Sequence, residues 1–127
     1  MVEHKRYEVT VRPEARFLAE QSDPDKNQYV FSYTITITNT GEVAAQLLSR
    51  HWIITDAEHN VQEVKGLGVV GQQPLLKPGE SFEYTSGASI PTAVGTMQGS
   101  YQMKAEDGRA FDAPIPLFTL SVPRTLH

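Results

Sequence analysis

Polar and apolar side chains alternate along YVFSYTITIT, which runs from Tyr29 to Thr38. The odd positions are aromatic or β-branched, and from Ser32 onward the even positions all carry hydroxyl groups. A period of two in such residues is typical of an antiparallel strand with one buried face. The following Asn39-Thr40-Gly41 supplies turn residues, so we predict a strand that ends there.

A weaker alternation precedes this strand, in YEVTV and the residues after it. The intervening segment QSDPDKNQ is polar and contains a proline, which indicates a loop. We therefore predict an earlier strand that sends these side chains toward the core: Tyr7, Val9, Val11, Ala15, Phe17 and Ala19.

The segment EVAAQLLSRHWIITD allows two interpretations. Its first half, Glu42 to Leu48, is rich in helix-forming residues. At a period of two, Leu48, Arg50, Trp52 and Ile54 would share one face, and HWIIT has the composition of a strand. We favour a strand that turns at the polar DAEHN and returns through VQEV.

The second half of the chain contains more turn signals. Pro78-Gly79 precedes a segment that directs Phe82, Tyr84, Ser86 and Ala88 to one face, and Asp107-Gly108 predicts a hairpin turn. In GTMQGSYQM the residues predicted to share a face are Met97, Tyr101 and Met103, with Gly99 between them.

The last predicted strand, RAFDAPIPLFTLSV, contains Pro114 and Pro116. Proline cannot donate to a central ladder, so this segment is either an edge strand or a switch between sheets. Seven or eight short strands without a convincing helix predict an all-β antiparallel sandwich. At 127 residues the chain is expected to form a single domain, 1–127.

The composition excludes several classes of protein. Eleven Lys and Arg residues against fifteen Asp and Glu give a net charge of −4, which argues against nucleic acid as a partner. The absence of cysteine excludes thiolate catalysis and disulfide frameworks. We see neither a signal-peptide pattern nor an apolar run of the ~20 residues that a membrane span needs, so we expect a cytoplasmic protein.

GLGVVG, at residues 66–71, matches the dinucleotide-binding pattern G-x-G-x-x-G. That motif requires a helix whose N-terminus faces the pyrophosphate. Here Pro74 and Pro78 follow closely, and no helix of useful length can pass through them. We therefore reject a dinucleotide-binding fold.

Two interpretations of these glycines remain. Gly66, Gly68 and Gly71 can provide unusual backbone angles or a close backbone approach, which we favour. Alternatively, their amides can form a small anion-binding nest, with Lys65 and Lys77 adding positive charge.

No catalytic or metal-binding pattern stands out. His51, Asp56, Glu58 and His59 match no known metal-ligand spacing, and the last three are expected in a solvated hairpin tip. Ser86, Ser89 and the histidines match no nucleophile motif. We expect no enzyme activity, no resident metal and no cofactor.

Arg50 stands between Leu48 and Trp52 on a predicted apolar face, where an arginine is costly unless it is paired or reaches solvent. We favour an arginine at the rim of the core, stacked on Trp52. The alternatives are a paired arginine and one that recognises an anionic partner, so Arg50 and Trp52 are candidate partner-binding residues.

Four segments together resemble the bacterial ApaG family, also called CorD: QLLSRHWIITD, GLGVVGQQPLLKPGESFEYTSG, GTMQGSYQM and IPLFTL. The resemblance extends from about Tyr7 to Val122. It implies an immunoglobulin-like or fibronectin type III-like sandwich. It also implies a protein-interaction role, because related domains occur in eukaryotic F-box and DNA polymerase delta-interacting proteins. The resemblance further implies a connection with cobalt tolerance and magnesium efflux, with which the bacterial family is associated.

From the residues and the resemblance together we expect a non-enzymatic interaction domain that recognises a protein partner through an exposed face or edge strand. Pairing of two copies through an open edge is a further expectation. The alternative function is a receptor for a phosphate-bearing small ligand, such as pyrophosphate or a nucleotide. In that case Gly66, Gly68 and Gly71 would hold the ligand, as has been proposed for the family's glycine motif.

Overall fold

The computed structural model describes residues 5–123, so the first and last four residues of the predicted domain 1–127 lie outside it. Eight strands account for most of the described chain, and two short 3-10 helices, Ala19–Gln21 and Pro24–Lys26, lie in the polar loop. Neither is long and apolar enough to cross a membrane. The strands are β1 (Val9–Phe17), β2 (Tyr29–Asn39), β3 (Ala45–Asp56), β4 (Val61–Leu67), β5 (Leu75–Leu76), β6 (Ser81–Ile90), β7 (Val94–Ala105) and β8 (Ala110–Ser121).

The strands form two antiparallel sheets that pack face to face, which confirms the predicted all-β sandwich. One sheet has the order β1-β2-β6. The other has the order β4-β3-β7-β8, with the short β5 also paired to β3. The proline-containing β8 is an edge strand, one of the two positions expected for it.

The alternation in β2 places its apolar side chains in the core between the sheets. Ile35 and Ile37 are fully buried, while the threonines between them face the outer side of the sheet and are partly exposed. β2 is the central strand of its sheet and pairs without interruption with β1 and β6. A regular register is expected where one face of a strand must be buried, because a slip by one residue would expose that face.

The ambiguous segment is a strand, as favoured from the sequence, but Leu48 does not share a face with Arg50 and Trp52. The register between β3 and β7 shifts between Leu47 and Ser49, which makes Leu48 the extra residue of a β-bulge. Leu47 is therefore the buried residue before the bulge. An alternation of inward and outward residues that ignores the bulge therefore assigns the wrong face to every residue on one side of it.

The two sides of the sandwich differ. β1 and β8 lie next to each other and close one side. On the other side β6 and β4 are the edge strands, and they do not approach each other in this way. The three-stranded sheet reaches across β3 and β7 but leaves the inner face of β4 partly uncovered, so Gln62 is exposed although it pairs with the inward-facing Ile54.

Candidate interaction site

The GLGVVG segment continues β4 into a tight turn, and in the described chain up to residue 123 no helix follows it. The amide of Val69 donates to the carbonyl of Gln72 over 2.8 Å, and the amide of Gln72 donates back over 2.9 Å. Both central residues have positive φ, 43° at Val70 and 79° at Gly71, as in a type I′ hairpin turn. The rejection of a dinucleotide-binding fold is thereby confirmed.

Two of the three glycines lie close to other atoms: Gly66 to the end of a side chain that can move, and Gly68 to fixed backbone. A Cβ at Gly66 would stand 2.8–2.9 Å from three atoms of the Arg50 guanidinium, which covers this residue. At Gly68, where φ is 63°, a Cβ would stand 2.4 Å from the carbonyl oxygen of Gln72. The structural role favoured from the sequence therefore has a specific cause at both positions.

Few backbone groups of this loop are free to bind a ligand. The amide of Gly68 donates to the carbonyl of Leu48, and those of Val69 and Gln72 bond each other across the turn. Within residues 5–123, the amides of Val70 and Gly71 have no hydrogen-bond partner. An anion at the loop would therefore be held by these two amides.

The two candidate lysines lie apart. Lys65 is opposite His51 in the β3–β4 ladder, and its Nζ is 3.9 Å from Glu63. Lys77 follows β5, which pairs with the start of β3 at Ala45. Six residues of strand, roughly 20 Å, separate Ala45 from His51. The structure does not bring Lys77 to the same place as Lys65.

Arg50 is bound to the backbone of the glycine loop and does not stack on Trp52, contrary to the interpretation favoured from the sequence. Its Nη1 donates to the carbonyls of Leu67 and Gly68, each over 2.9 Å. The cation–π contacts among residues 5–123 involve Arg6 and Arg109, both with Tyr7. The missing side chain of Gly66 lets the guanidinium turn toward β4.

Trp52 is buried and forms the centre of an aromatic cluster. Its ring makes an edge contact with Tyr33 at 5.3 Å and further edge contacts with Tyr101 and Phe118. The indole Nε1 is buried and has no acceptor among residues 5–123. Trp52 contributes its ring to the core and is only 2% exposed, so it offers very little surface to a partner.

A pair of buried tyrosines next to this cluster was not predicted from the sequence. The hydroxyl groups of Tyr84 on β6 and Tyr101 on β7 are 2.5 Å apart and join the two sheets. Burial raises the pKa of Tyr84 to about 12, although the hydrogen bond with Tyr101 acts to lower it. Burial also raises the pKa of Tyr101, and the neighbouring Tyr84 adds to the effect.

A cleft of about 310 Å³ opens between β4 and β6. Its β3 and β4 side is lined by Arg50, Trp52, Ile54, Gln62 and Val64, and its β6 side by residues 86–89. Tyr33 and Met97 complete the lining. Arg50 and Trp52, which the sequence suggested as partner contacts, are thus brought together in one cleft.

The free edge of β6 runs along this cleft. The amide of Asn39 donates to the carbonyl of Glu80, and in this register hydrogen-bonded pairs recur at every second residue. The even residues of β6 therefore bond to β2. The backbone groups of Thr85, Gly87 and Ser89 point away from β2, toward the open side of the sandwich.

The other three edges carry features that oppose strand pairing. β1 contains Pro13 between charged residues, and β8 contains Pro114, Pro116 and a register shift. β4 carries Glu63 and Lys65. β6 has no proline and no bulge, its one charged residue is Glu83, and residues 85–89 are all small and uncharged.

The residues considered as metal ligands are dispersed. His51 points to the outer face of its sheet, where its Nε2 is 2.5 Å from Glu63, and Glu58 and His59 are exposed at the hairpin tip. Asp56 is buried, contrary to the expectation of a solvated tip, and accepts hydrogen bonds from Glu58 and Asn60. Across residues 5–123 no three His, Asp or Glu side chains are grouped as metal ligands would be.

Comparisons with known proteins identify the family. A family model described as the ApaG domain matches residues 19–105. Protein ApaG of Thiobacillus denitrificans is 67% identical over the full length of both chains. Protein ApaG of Ralstonia nicotianae is 67% identical over 122 residues, which are 96% of this chain and 98% of that protein.

Solved structures agree with these sequence relatives. The crystal structure of an ApaA protein from Bordetella pertussis superposes with a TM-score of 0.93 at 59% identity, covering 97% of this chain and 100% of that one. An X-ray structure of a structural genomics target superposes with a TM-score of 0.87 at 46% identity, covering 94% of this chain and 90% of that one. The chain belongs to the ApaG family.

Proposed function

We propose that this protein is a protein-interaction module that accepts an extended segment of its partner as an additional strand on β6. The observation that carries the proposal is the free edge of β6. Thr85, Gly87 and Ser89 present backbone donors and acceptors along a regular strand that has none of the prolines, lysines or register shifts of the other edges. Strand addition to such an edge is a common mode of peptide recognition.

The side chains of β6 favour the same mode. Residues 85–89 read TSGAS, so no bulky group stands between the free backbone and an incoming chain. Main-chain hydrogen bonds would supply affinity, and side chains entering the adjacent cleft would supply specificity. In this proposal the protein binds without catalysing a reaction.

The proposal includes the cytoplasmic location and the connection with cobalt and magnesium that the sequence and its resemblance suggested. In this proposal the partner recognised by β6, and not this protein itself, acts in divalent-cation transport or tolerance. Support comes from the family relationship and from the accessible edge.

The test compares three forms of the protein as bait in a native extract of the producing organism. Gly87→Pro removes one outward N–H, while its even-numbered neighbours keep their bonds to β2. Gly87→Ala is the matched control, because its Cβ would meet only the carbonyl of Phe31, at 3.5 Å, and the N–H remains. We expect wild type and Gly87→Ala to capture the same stoichiometric partner and Gly87→Pro to lose it. Equal capture by all three forms would refute strand addition at β6.

The second candidate function is anion binding at the glycine loop. One observation favours it: Val70 has a positive φ, which is strained for a β-branched residue, and strain of this kind often marks a functional site. Titration with pyrophosphate should then shift the amide resonances of Val70 and Gly71 first. Unchanged resonances throughout residues 65–72 at millimolar pyrophosphate would eliminate this candidate.

A further inference from the structure

The space beside β6 has the dimensions of a missing strand. The smaller sheet ends at β6, whereas the larger sheet continues on that side through β3 to β4. Strands within a sheet are about 4.8 Å apart, so one strand added to β6 would lie above the inner face of β4. Its inward side chains would then enter the cleft that Arg50, Trp52 and Val64 line.

Arg50 gives this cleft an unpaired positive charge. Its Nη1 is occupied by the carbonyls of Leu67 and Gly68, but Nε and Nη2 donate to no acceptor within residues 5–123. The four ion pairs in this part of the chain do not include Arg50. A half-buried guanidinium with free donors recognises a carboxylate well, because its planar fork matches the two carboxylate oxygens.

The next inward positions of the cleft are apolar. Trp52 and Ile54 follow Arg50 on the inner face of β3, and Val64 lies opposite Trp52 on β4. Across the cleft, Ala88 of β6 adds a small apolar surface. Side chains that point to the same face of a strand are two residues, or roughly 7 Å, apart. The lining of the cleft therefore changes from charged at Arg50 to apolar at Trp52, one inward position further along β3.

Resting on the proposed function, we infer that the accepted strand carries an acidic residue that faces Arg50 and, two residues away, an apolar residue that packs on Val64 and Ala88, beside the buried Trp52. Charge complementarity selects the first residue, and burial of apolar surface selects the second. The partner is then a protein with an extended acidic–x–apolar segment, and Arg50 is its specificity determinant.

The probe is a blocked synthetic peptide, Thr-Val-Thr-Glu-Thr-Val-Thr. Its pattern reads the same in both directions and so makes no assumption about strand orientation. Matched peptides replace the central Glu with Gln or Lys. Affinity is measured by titration followed in amide resonances, and hydrogen exchange at Thr85, Gly87 and Ser89 reports whether the free edge becomes paired.

We expect wild type to bind the Glu peptide about tenfold more tightly than the Gln peptide, the size of one charge-assisted hydrogen bond, and the Lys peptide least. Exchange at the three edge amides should slow on binding. Arg50→Met should remove the preference for Glu over Gln, Arg50→Lys should retain part of it, and Gly87→Pro should abolish binding of all three peptides.

The outcomes separate this inference from the proposed function. Equal affinity for the Glu and Gln peptides, lost in Gly87→Pro, would refute the acidic preference and leave strand addition intact. No binding of any peptide at millimolar concentration would refute both. Protection of the edge amides without peptide, rising with protein concentration, would make a second copy of this chain the occupant and would also refute the inference.

Discussion

The guanidinium of Arg50 covers the backbone of Gly66, its partner in the β3–β4 ladder. Because Gly66 has no side chain, Arg50 can turn toward β4 and bond the carbonyls of Leu67 and Gly68. One arginine thereby holds the start of the glycine loop, and its Nε and Nη2 donate to no acceptor within residues 5–123. The first glycine of GLGVVG is explained by an arginine sixteen residues earlier in the chain.

Gly66→Ala should destabilise the protein by roughly 1–2 kcal/mol, because the new Cβ displaces the guanidinium from its two carbonyl acceptors. In an Arg50→Ala background the same change should cost much less, since nothing remains to be displaced. Urea unfolding of the two single variants and the double variant gives the coupling energy, for which we expect about 1 kcal/mol.

Gly108→Ala is the control for this cycle. Gly108 lies in the β7–β8 turn with φ of 90°, so alanine is strained there but does not meet Arg50. Its effect should add to that of Arg50→Ala within about 0.5 kcal/mol. Additivity of Gly66→Ala with Arg50→Ala to the same degree would contradict the contact on which the explanation of Gly66 rests.

The local features of the fold were predictable from the sequence because they depend on neighbouring residues. The alternation in β2, the turn at Asp107-Gly108 and the edge position of the proline strand each follow from short-range chemistry, and the structure has all three. Pro74 and Pro78 were sufficient to exclude a helix after GLGVVG.

The candidate site was only partly predictable, because it depends on how the two sheets are placed. Arg50 and Trp52 were singled out, but the partner of Arg50 is a backbone on β4 that no periodicity identifies. The bulge at Leu48 leaves no residue-level pattern in QLLSRHW. The cleft exists because β6 and β4 end their sheets on the same side, which is a property of strand order.

The buried hydroxyl pair should respond strongly to loss of one member. Tyr84→Phe or Tyr101→Phe leaves the other hydroxyl in the core without its partner, at a cost of about 1–2 kcal/mol. The double Phe variant should cost clearly less than the sum, because both polar groups are then removed. Equilibrium unfolding of the three variants tests this, and strict additivity would show that the two hydroxyls do not interact.

The same pair predicts a stability loss at high pH. The pKa of Tyr84 is raised in the folded protein to about 12 from the usual value of about 10. Its contribution to stability is therefore complete below about pH 10 and is lost as pH rises toward the folded pKa. Near-ultraviolet absorbance should show fewer tyrosines ionised at about pH 11 in the native protein than in urea. An identical titration in both states would contradict the burial of these hydroxyls.

Val70 is a β-branched residue in the first central position of a type I′ turn, where φ is 43°. Asparagine followed by glycine is the favoured pair in this turn, so Val70→Asn should stabilise the protein by about 1 kcal/mol in urea unfolding. Val70→Thr is the control, because threonine is polar but keeps the branched Cβ and so should give no gain. Destabilisation by Val70→Asn would mean that the exposed valine side chain is itself needed for the folded state.

Asp56 should make the protein sensitive to acid. Burial by itself would raise the pKa of this carboxyl, but the hydrogen bonds donated by Asn60 and Glu58 outweigh burial and lower the pKa. A folded pKa below the unfolded value of about 3.9 gives stability that is present above that pH and is lost as pH falls through the folded pKa.

The unfolding free energy of wild type should therefore fall more steeply below about pH 4 than that of Asp56→Asn, which cannot titrate. Asn60→Ala, which removes the side-chain amide that donates to Asp56 and keeps both backbone donors, should give an intermediate slope. Urea unfolding at a series of pH values measures all three. Parallel curves for wild type and Asp56→Asn would show that the hydrogen bonds do not stabilise the Asp56 carboxylate. Any acid sensitivity would then come from other carboxylates. Asp107 is one such group, because the hydrogen bond from Tyr7 lowers its pKa.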